Sequence, residues 1–181
     1  GTTDATPPAA DAAQGAVAVA RPAPAYPERA WFGDTHVHTG WSADAGMDGA
    51  ITTPEDAFRF ARGDEVKSNT GLSAKLARPL DWMVITDHSD GMGTINEILG
   101  GSADMMADPV VKGWSEALNS GDPHRIHTAV MQLIDMQSSG KRPAIVMDPK
   151  WMVSAWEKTI TIADKYDQPG TFTAMIEGVR E

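Results

Sequence analysis

The chain has 181 residues, of which 41% are hydrophobic, and this is enough for one globular domain with a sizeable core. It is shorter than a complete eight-stranded α/β barrel, which needs roughly 250 residues, and no apolar run approaches the roughly 20 residues of a membrane-spanning helix. The net charge of −10 argues against binding along a nucleic-acid backbone, and the absence of cysteine leaves nitrogen and oxygen atoms as the available metal ligands.

Residues 1–28 are rich in alanine, proline and threonine and show no hydrophobic periodicity. This composition predicts a flexible leader, so we expect the folded domain over residues 29–181. The leader has no basic start followed by an apolar segment, so any export signal would already have been removed. Two interpretations therefore stay open. The protein is periplasmic or secreted after its signal has been removed, or it is cytoplasmic.

The segment 31–39 predicts a strand that ends in two histidines. Alternate side chains of a strand share a face, so Asp34, His36 and His38 should point the same way. Two neutral imidazoles on one face can bind the same divalent metal ion, and Asp34 can orient one of the rings from behind. The alternative is a pair of ordinary histidines with no ligand role.

A loop is expected at residues 40–52, directly after this strand, and it carries Asp44. Because the loop follows the histidines, Asp44 could contact a metal ion or a substrate. A Thr-Pro-Glu-Asp sequence then predicts the N-cap and first turn of a helix that ends near Arg62. A small hairpin is expected within residues 64–79.

The next strand is predicted at residues 80–85, a nearly continuous apolar run that is typical of a parallel strand buried on both faces. It is followed closely by Asp87 and His88. Because the reactive groups of α/β folds collect where parallel strands end, we expect His88 to lie near His36 and His38. Asp87 would then orient one of the rings, or simply cap a turn.

Helices dominate the rest of the chain. Three Asp-Pro pairs, which begin at Asp108, Asp122 and Asp148, each predict an N-cap followed by proline in the first helical turn. Residues 171–176 predict a final strand, with Glu177 directly after it. The order of strands and helices predicts an α/β fold with parallel connections.

Several of these segments also match the motifs of a known superfamily. They are Phe32-Gly33-Asp34-x-His36-Val37-His38-Thr39, Trp41-Ser42-x-Asp44-Ala45, residues 53–63, Arg78-Pro79-Leu80-Asp81 and Thr86-Asp87-His88. Together they resemble the polymerase and histidinol phosphatase (PHP) superfamily, and more narrowly a bacterial branch of it that is classed as a domain of unknown function. The resemblance extends from about residue 29 to residue 176 and is most specific in its N-terminal part.

The resemblance implies a PHP-like distorted (β/α)7 barrel with two or three divalent metal ions, Zn, Mn or Fe, at the C-terminal ends of its strands. It implies that His36, His38 and His88 are metal ligands, and that the acid after the next strand, here Glu177, is a further ligand. From Met175 this sequence reads Met-Ile-Glu-Gly, where the branch usually reads Phe-Ile-Gly-Tyr-Glu-Trp. The later motifs of the superfamily have no counterpart here. We therefore expect the N-terminal part of such a barrel, completed by a C-terminal segment or by another chain.

Many proteins of this superfamily hydrolyse phosphate esters, so the resemblance implies a metal-dependent phosphoesterase that acts on a small-molecule phosphate ester. In this interpretation Asp34, Asp44 and Asp87 belong to the catalytic set, beside the metal ligands. Two alternatives stay open. One is an amidohydrolase-like metallohydrolase, which also begins with a His-x-His strand, and the other is a non-catalytic metal-binding or scaffolding module.

Overall fold

The structure is a computed structural model that describes residues 29–178. The predicted leader, residues 1–28, lies outside the described residues, as does the segment 179–181. A short 3-10 helix spans Ala144–Met147, in addition to the strands and α-helices. The elements of the described part are, in chain order, β1 (Gly33–Val37), α1 (Ala43–Met47), α2 (Pro54–Ala61), β2 (Val66–Lys67), β3 (Ser73–Ala74), β4 (Trp82–Ile85), α3 (Thr94–Gly100), α4 (Ala103–Met106), α5 (Pro109–Leu118), α6 (Pro123–Ser139), α7 (Pro149–Tyr166) and β5 (Thr173–Ile176).

The strands β1, β4 and β5 form a parallel sheet with β4 in the centre, while β2 and β3 form the predicted hairpin. Gly33 of β1 pairs with Trp82 of β4, and Ile85 of β4 pairs with Ile176 of β5. The predicted α/β class with parallel strands is therefore confirmed. The PHP-like barrel stays a prediction, because the described strands form a small open sheet.

β1 carries one more residue than β4 between two of their paired positions, Asp34 and Val37. Such a bulge interrupts the pleat, so the regular alternation expected for Asp34, His36 and His38 does not hold. The Asp34 carboxylate accepts a hydrogen bond from the His36 backbone N–H at 3.0 Å. Asp34 therefore supports the bulged backbone of β1, and the bulge redirects the side chains that follow it.

One face of the parallel sheet is covered by α2 and α7. Phe58 of α2 is completely buried and packs against Tyr166 of α7 and against Phe172, at ring-centroid distances of 6.0 and 6.2 Å. All three belong to one hydrophobic cluster with the central strand. This cluster holds the sheet and its two covering helices together.

The central strand β4 is fully buried on one face only. Met83 and Ile85 are buried in the cluster beneath α2 and α7. Trp82 and Val84 alternate with them and are partly exposed, where they line a surface hollow with Met175. The expectation of burial on both faces is therefore wrong, because within residues 29–178 helices pack over one side of this strand.

Four helices, α2, α5, α6 and α7, begin where the capping pattern of the sequence predicts. The side chains of Asp108, Asp122 and Asp148 each accept hydrogen bonds from backbone N–H groups of the first turn. Thr53 and Asp56 form a reciprocal capping box at the start of α2. These predictions are confirmed because an N-cap depends only on residues within one turn of it.

The short helix α1 lies within the segment 40–52, for which the sequence predicts a loop. A Cβ atom on Gly46 would lie only 2.8 Å from the Gly40 carbonyl oxygen and 2.9 Å from the Ile95 side chain. This close approach packs α1 against the end of β1 and against α3. The small residues that indicate a loop therefore permit helix packing, and they place Asp44 in the first turn of α1.

A second hydrophobic cluster joins α3, α5 and α6. Its buried members include Ile98 of α3, Val111 and Trp114 of α5, and Leu133 of α6.

Among the helices of residues 29–178, none has both the length and the apolar character that a membrane span requires.

Candidate metal centre

His38, Asp44 and His88 meet at the C-terminal edge of the parallel sheet. His38 follows β1, Asp44 lies in α1 and His88 follows β4. Each residue offers one possible ligand atom, and the three atoms lie within 4.8 Å of one another. The ring centroids of His38 and His88 are 4.8 Å apart, with the rings edge to face. The prediction that the ends of two parallel strands bring histidines together is therefore confirmed for this pair.

The two ring nitrogens of His38 have different surroundings. Nδ1 lies 2.7 Å from Asp44 Oδ2. Nε2 is buried and has no hydrogen-bond partner among the described residues. An ionised carboxylate only accepts hydrogen bonds, so Nδ1 carries the proton and Nε2 keeps its lone pair in the neutral ring. An ion bound at Nε2 would therefore have Asp44 behind the ring, whereas an ion bound by Asp44 would need His38 to bind through Nδ1 after loss of that proton.

Asp44 is held in its ionised form by the groups around it. Burial raises its pKa, but hydrogen bonds from the Ser42 hydroxyl at 2.5 Å, from His38 and from the Ala45 backbone N–H at 2.7 Å outweigh this effect and lower the pKa to about 2. Asp44 Oδ2 also lies 3.5 Å from His88 Nε2. At neutral pH a negative charge therefore lies between the two imidazoles.

This donor set fits a divalent transition metal. Imidazole nitrogens and a carboxylate oxygen are the ligands of many catalytic zinc sites, which keep a further position open. Bonds of about 2.0–2.1 Å would place two ligands of a tetrahedral ion about 3.3 Å apart, close to the 3.5 Å between Asp44 and His88. The unpartnered Nε2 of His38 indicates a further ligand position, because a buried polar atom is costly unless a ligand satisfies it, and this position lies on the side of the ring away from Asp44.

Ser42 connects the loop after β1 to the loop after β4. It is completely buried, and its hydroxyl donates to Asp44 Oδ1 and accepts a hydrogen bond from the His88 backbone N–H at 3.0 Å. Sequence reasoning did not identify Ser42 as a site residue. Its position two residues before Asp44 was a local signal, but its bond to His88 spans 46 positions of the chain.

Asp87 joins the same two loops through Thr39. Its carboxylate oxygens accept hydrogen bonds from the Thr39 backbone N–H at 2.6 Å and from the Thr39 hydroxyl at 2.7 Å. Burial raises the pKa of Asp87, and the two bonds from Thr39 oppose that rise. The expected bond from Asp87 to a histidine ring is therefore replaced by bonds to Thr39, which sequence reasoning did not identify as a site residue.

The other predicted site residues lie outside the three-residue group. His36 is exposed, and its ring centroid is 4.7 Å from that of His38. Asp34 bonds to the His36 backbone and not to a ring. Glu177 follows β5 and is exposed, and its carboxylate does not belong to the group. The metal-binding roles of His36 and Glu177 stay predictions.

Replacing Ser42 by alanine should weaken metal binding although it removes no metal ligand. Asp44 would lose a hydrogen bond and the His88 N–H would lose its acceptor, and the loss of such a supporting contact costs roughly 10–100-fold in metal affinity. Isothermal titration with Zn²⁺ measures this change. Ser115→Ala is the control, because Ser115 is also buried but lies in α5. Equal affinities of Ser42→Ala and the unchanged protein would contradict the role assigned to Ser42.

The chain matches a protein family over most of its length. Residues 25–177 match the family described as "Protein of unknown function (DUF3604)". This range includes every residue of the candidate metal centre. No curated protein and no solved structure matches the chain.

Proposed function

We propose that this chain, which belongs to the DUF3604 family of proteins of unknown function, is a metal-dependent hydrolase of a small-molecule phosphate ester. The observation that carries the proposal is the group of His38, Asp44 and His88, whose ligand atoms lie within 4.8 Å of one another at the C-terminal edge of a parallel sheet. Enzymes with α/β folds place their reactive groups at this edge. The resemblance to the PHP superfamily supports a phosphoester as the substrate class.

A divalent ion, Zn, Mn or Fe, would supply Lewis acidity at this site, lowering the pKa of a water molecule and neutralising charge on the phosphoryl oxygens. His88 would hold it as a neutral donor and Asp44 as an anion, with His38 bound through Nδ1 in place of its proton, while Ser42 keeps Asp44 and the His88 backbone in place. In the net reaction the water oxygen bonds to phosphorus, the P–O bond to the alcohol breaks, and the alcohol leaves with a proton. By the resemblance, His36 would bind a second ion beside His38.

We also propose that β1, β4 and β5 are part of a PHP-like barrel. Their parallel order and the packing of α2 and α7 on one face support this proposal. The opposite face presents the partly exposed side chains of Trp82, Val84 and Met175. In a barrel this inner face packs against side chains of the other strands. Further strands, from the same protein or from another chain, would cover it.

Hydrolysis of p-nitrophenyl phosphate and bis(p-nitrophenyl) phosphate by the protein loaded with Mn²⁺ or Zn²⁺ tests the proposed function. We expect hydrolysis that depends on the ion and that Asp44→Asn lowers by about 100-fold or more, because the substitution removes both the negative charge and an oxygen ligand. Asp64→Asn is the control, since Asp64 is an exposed acid that pairs with Arg59 outside the centre. It should leave hydrolysis unchanged.

Two other results would contradict the hydrolase proposal. Stoichiometric metal binding without turnover of either ester would indicate a non-catalytic metal-binding module. Absence of metal binding would contradict both the hydrolase function and the metal-binding function. Elemental analysis of the protein after dialysis distinguishes these results.

A further inference from the structure

A cavity of about 240 Å³ opens beside the candidate metal centre. Asp44 and His88 form one side of it, and the other sides come from α1, α3, α6 and the loop that follows His88. Because two residues of the centre line this cavity, a molecule whose reacting group lies at the centre can extend into it.

The walls of the cavity are mainly aliphatic, and the polar side chains of Asp90, Thr94, Gln137 and Ser138 lie among them. Ile95 and Ile98 of α3 and Leu133 of α6 are buried, and Met47 and Ile134 contribute to the lining. Binding a phosphate group or an ion requires none of these side chains, since charged and polar groups satisfy both. A concave, mainly apolar lining with a small number of placed polar groups is typical of a site for an organic molecule.

One hydrogen bond holds α6 against the loop that follows His88. Gln137 Nε2 donates to Asp90 Oδ2 at 3.0 Å, and both residues line the cavity. Ile134 lies one turn before Gln137 on α6 and is 44% exposed. This bond joins α6 to the loop beside the metal centre. The exposed side chain of Ile134 therefore forms part of the cavity wall.

On the basis of the proposed function, we propose that the cavity holds an apolar organic group of the substrate, so that phosphoesters of aromatic or branched aliphatic alcohols are preferred over those of sugars and polyols. A cavity of about 150 Å³ with an apolar lining can hold benzene, so 240 Å³ admits one aromatic ring with a substituent. A sugar would bury several hydroxyl groups, and those that faced the aliphatic side chains would lose their hydrogen bonds to water without replacement, which costs free energy.

Binding of two phosphonates tests this preference without turnover. Phenylphosphonate and methylphosphonate carry the same anionic group and differ in their apolar part. We expect phenylphosphonate to bind to the metal-loaded protein at least about tenfold more tightly, because burying an aromatic ring contributes that much or more. Isothermal titration calorimetry of the protein loaded with Zn²⁺ measures both affinities.

The variant Ile134→Gln should reduce the ratio of the two affinities by about threefold or more, because it replaces part of the apolar wall. Ile160→Gln is the matched control, since Ile160 is 39% exposed on α7 and does not line the cavity. Equal binding of the two phosphonates, or an unchanged ratio in Ile134→Gln, would overturn the proposal.

Phenol separates a failure of this inference from a failure of the proposed function. In the metal-free protein, phenol should shift the NMR signals of the Ile98 and Ile134 methyl groups and leave those of Ile160 unchanged. These shifts without metal-dependent hydrolysis would support an apolar site while the proposed function fails. Metal-dependent hydrolysis without the phenyl preference would overturn the apolar site and leave the proposed function in place.

Discussion

Replacing His38 or His88 by alanine should lower the affinity of the protein for Zn²⁺ or Mn²⁺ by more than about 100-fold, since losing a supporting partner alone costs roughly 10–100-fold and a direct ligand contributes more. The structure gives a specific reason for each residue. His38 has a buried Nε2 without a partner among the described residues, and His88 presents Nε2 at 3.5 Å from Asp44.

Isothermal titration of the metal-free protein with either ion measures the effect, and elemental analysis after dialysis checks the stoichiometry. His127→Ala is the matched control, because His127 is an exposed histidine on α6 outside the group. Its affinity should equal that of the unchanged protein. If His38→Ala and His88→Ala both kept full metal content, the metal centre would be assigned to the wrong residues.

His36→Ala distinguishes a centre with one ion from the centre with two or three ions that the PHP resemblance implies. His36 lies outside the three-residue group, although its ring centroid is 4.7 Å from that of His38. If His36 binds a second ion, the variant should lose one equivalent of metal and keep the other. An unchanged metal content would indicate that the three-residue group holds the metal without His36.

Phe58→Ala should lower the free energy of unfolding by about 3–5 kcal/mol, the usual cost of truncating a buried phenylalanine. Phe58 is 0% exposed and packs against the rings of Tyr166 and Phe172. Removing its ring would leave a cavity between α2, α7 and the sheet, where these side chains hold the covering helices in place. Urea unfolding monitored by tryptophan fluorescence measures the change.

Phe32→Ala is the control for this prediction. Phe32 is 51% exposed, and its ring contacts the Arg78 guanidinium at 4.9 Å. Its truncation should cost less than about 1 kcal/mol, because an exposed cation–π contact contributes about 0.5–1 kcal/mol. If the two variants were equally destabilised, the cluster around Phe58 would not be the main core of the sheet.

Local signals were enough to predict most elements of the fold. The N-caps at Asp108, Asp122 and Asp148 are confirmed because capping joins a side chain to backbone groups two or three residues away. The bulge in β1 could not be predicted in this way, because it depends on how β1 pairs with β4. The helix α1 was missed for a related reason, since the close packing of Gly46 against Gly40 and Ile95 stabilises it.

The sequence by itself determined the α/β class, the starts of α2, α5, α6 and α7, and the choice of His38 and His88 among the candidate ligands, because capping residues and the ends of strands are read within a few residues. Only the tertiary structure decided that Asp44 lies between the two rings, that Ser42 and Thr39 hold the loops together, and that Glu177 stays outside the group. The physical reason is distance along the chain. The bonds from Ser42 to His88 and from Thr39 to Asp87 span 46 and 48 positions, so they exist only after β1 and β4 have paired.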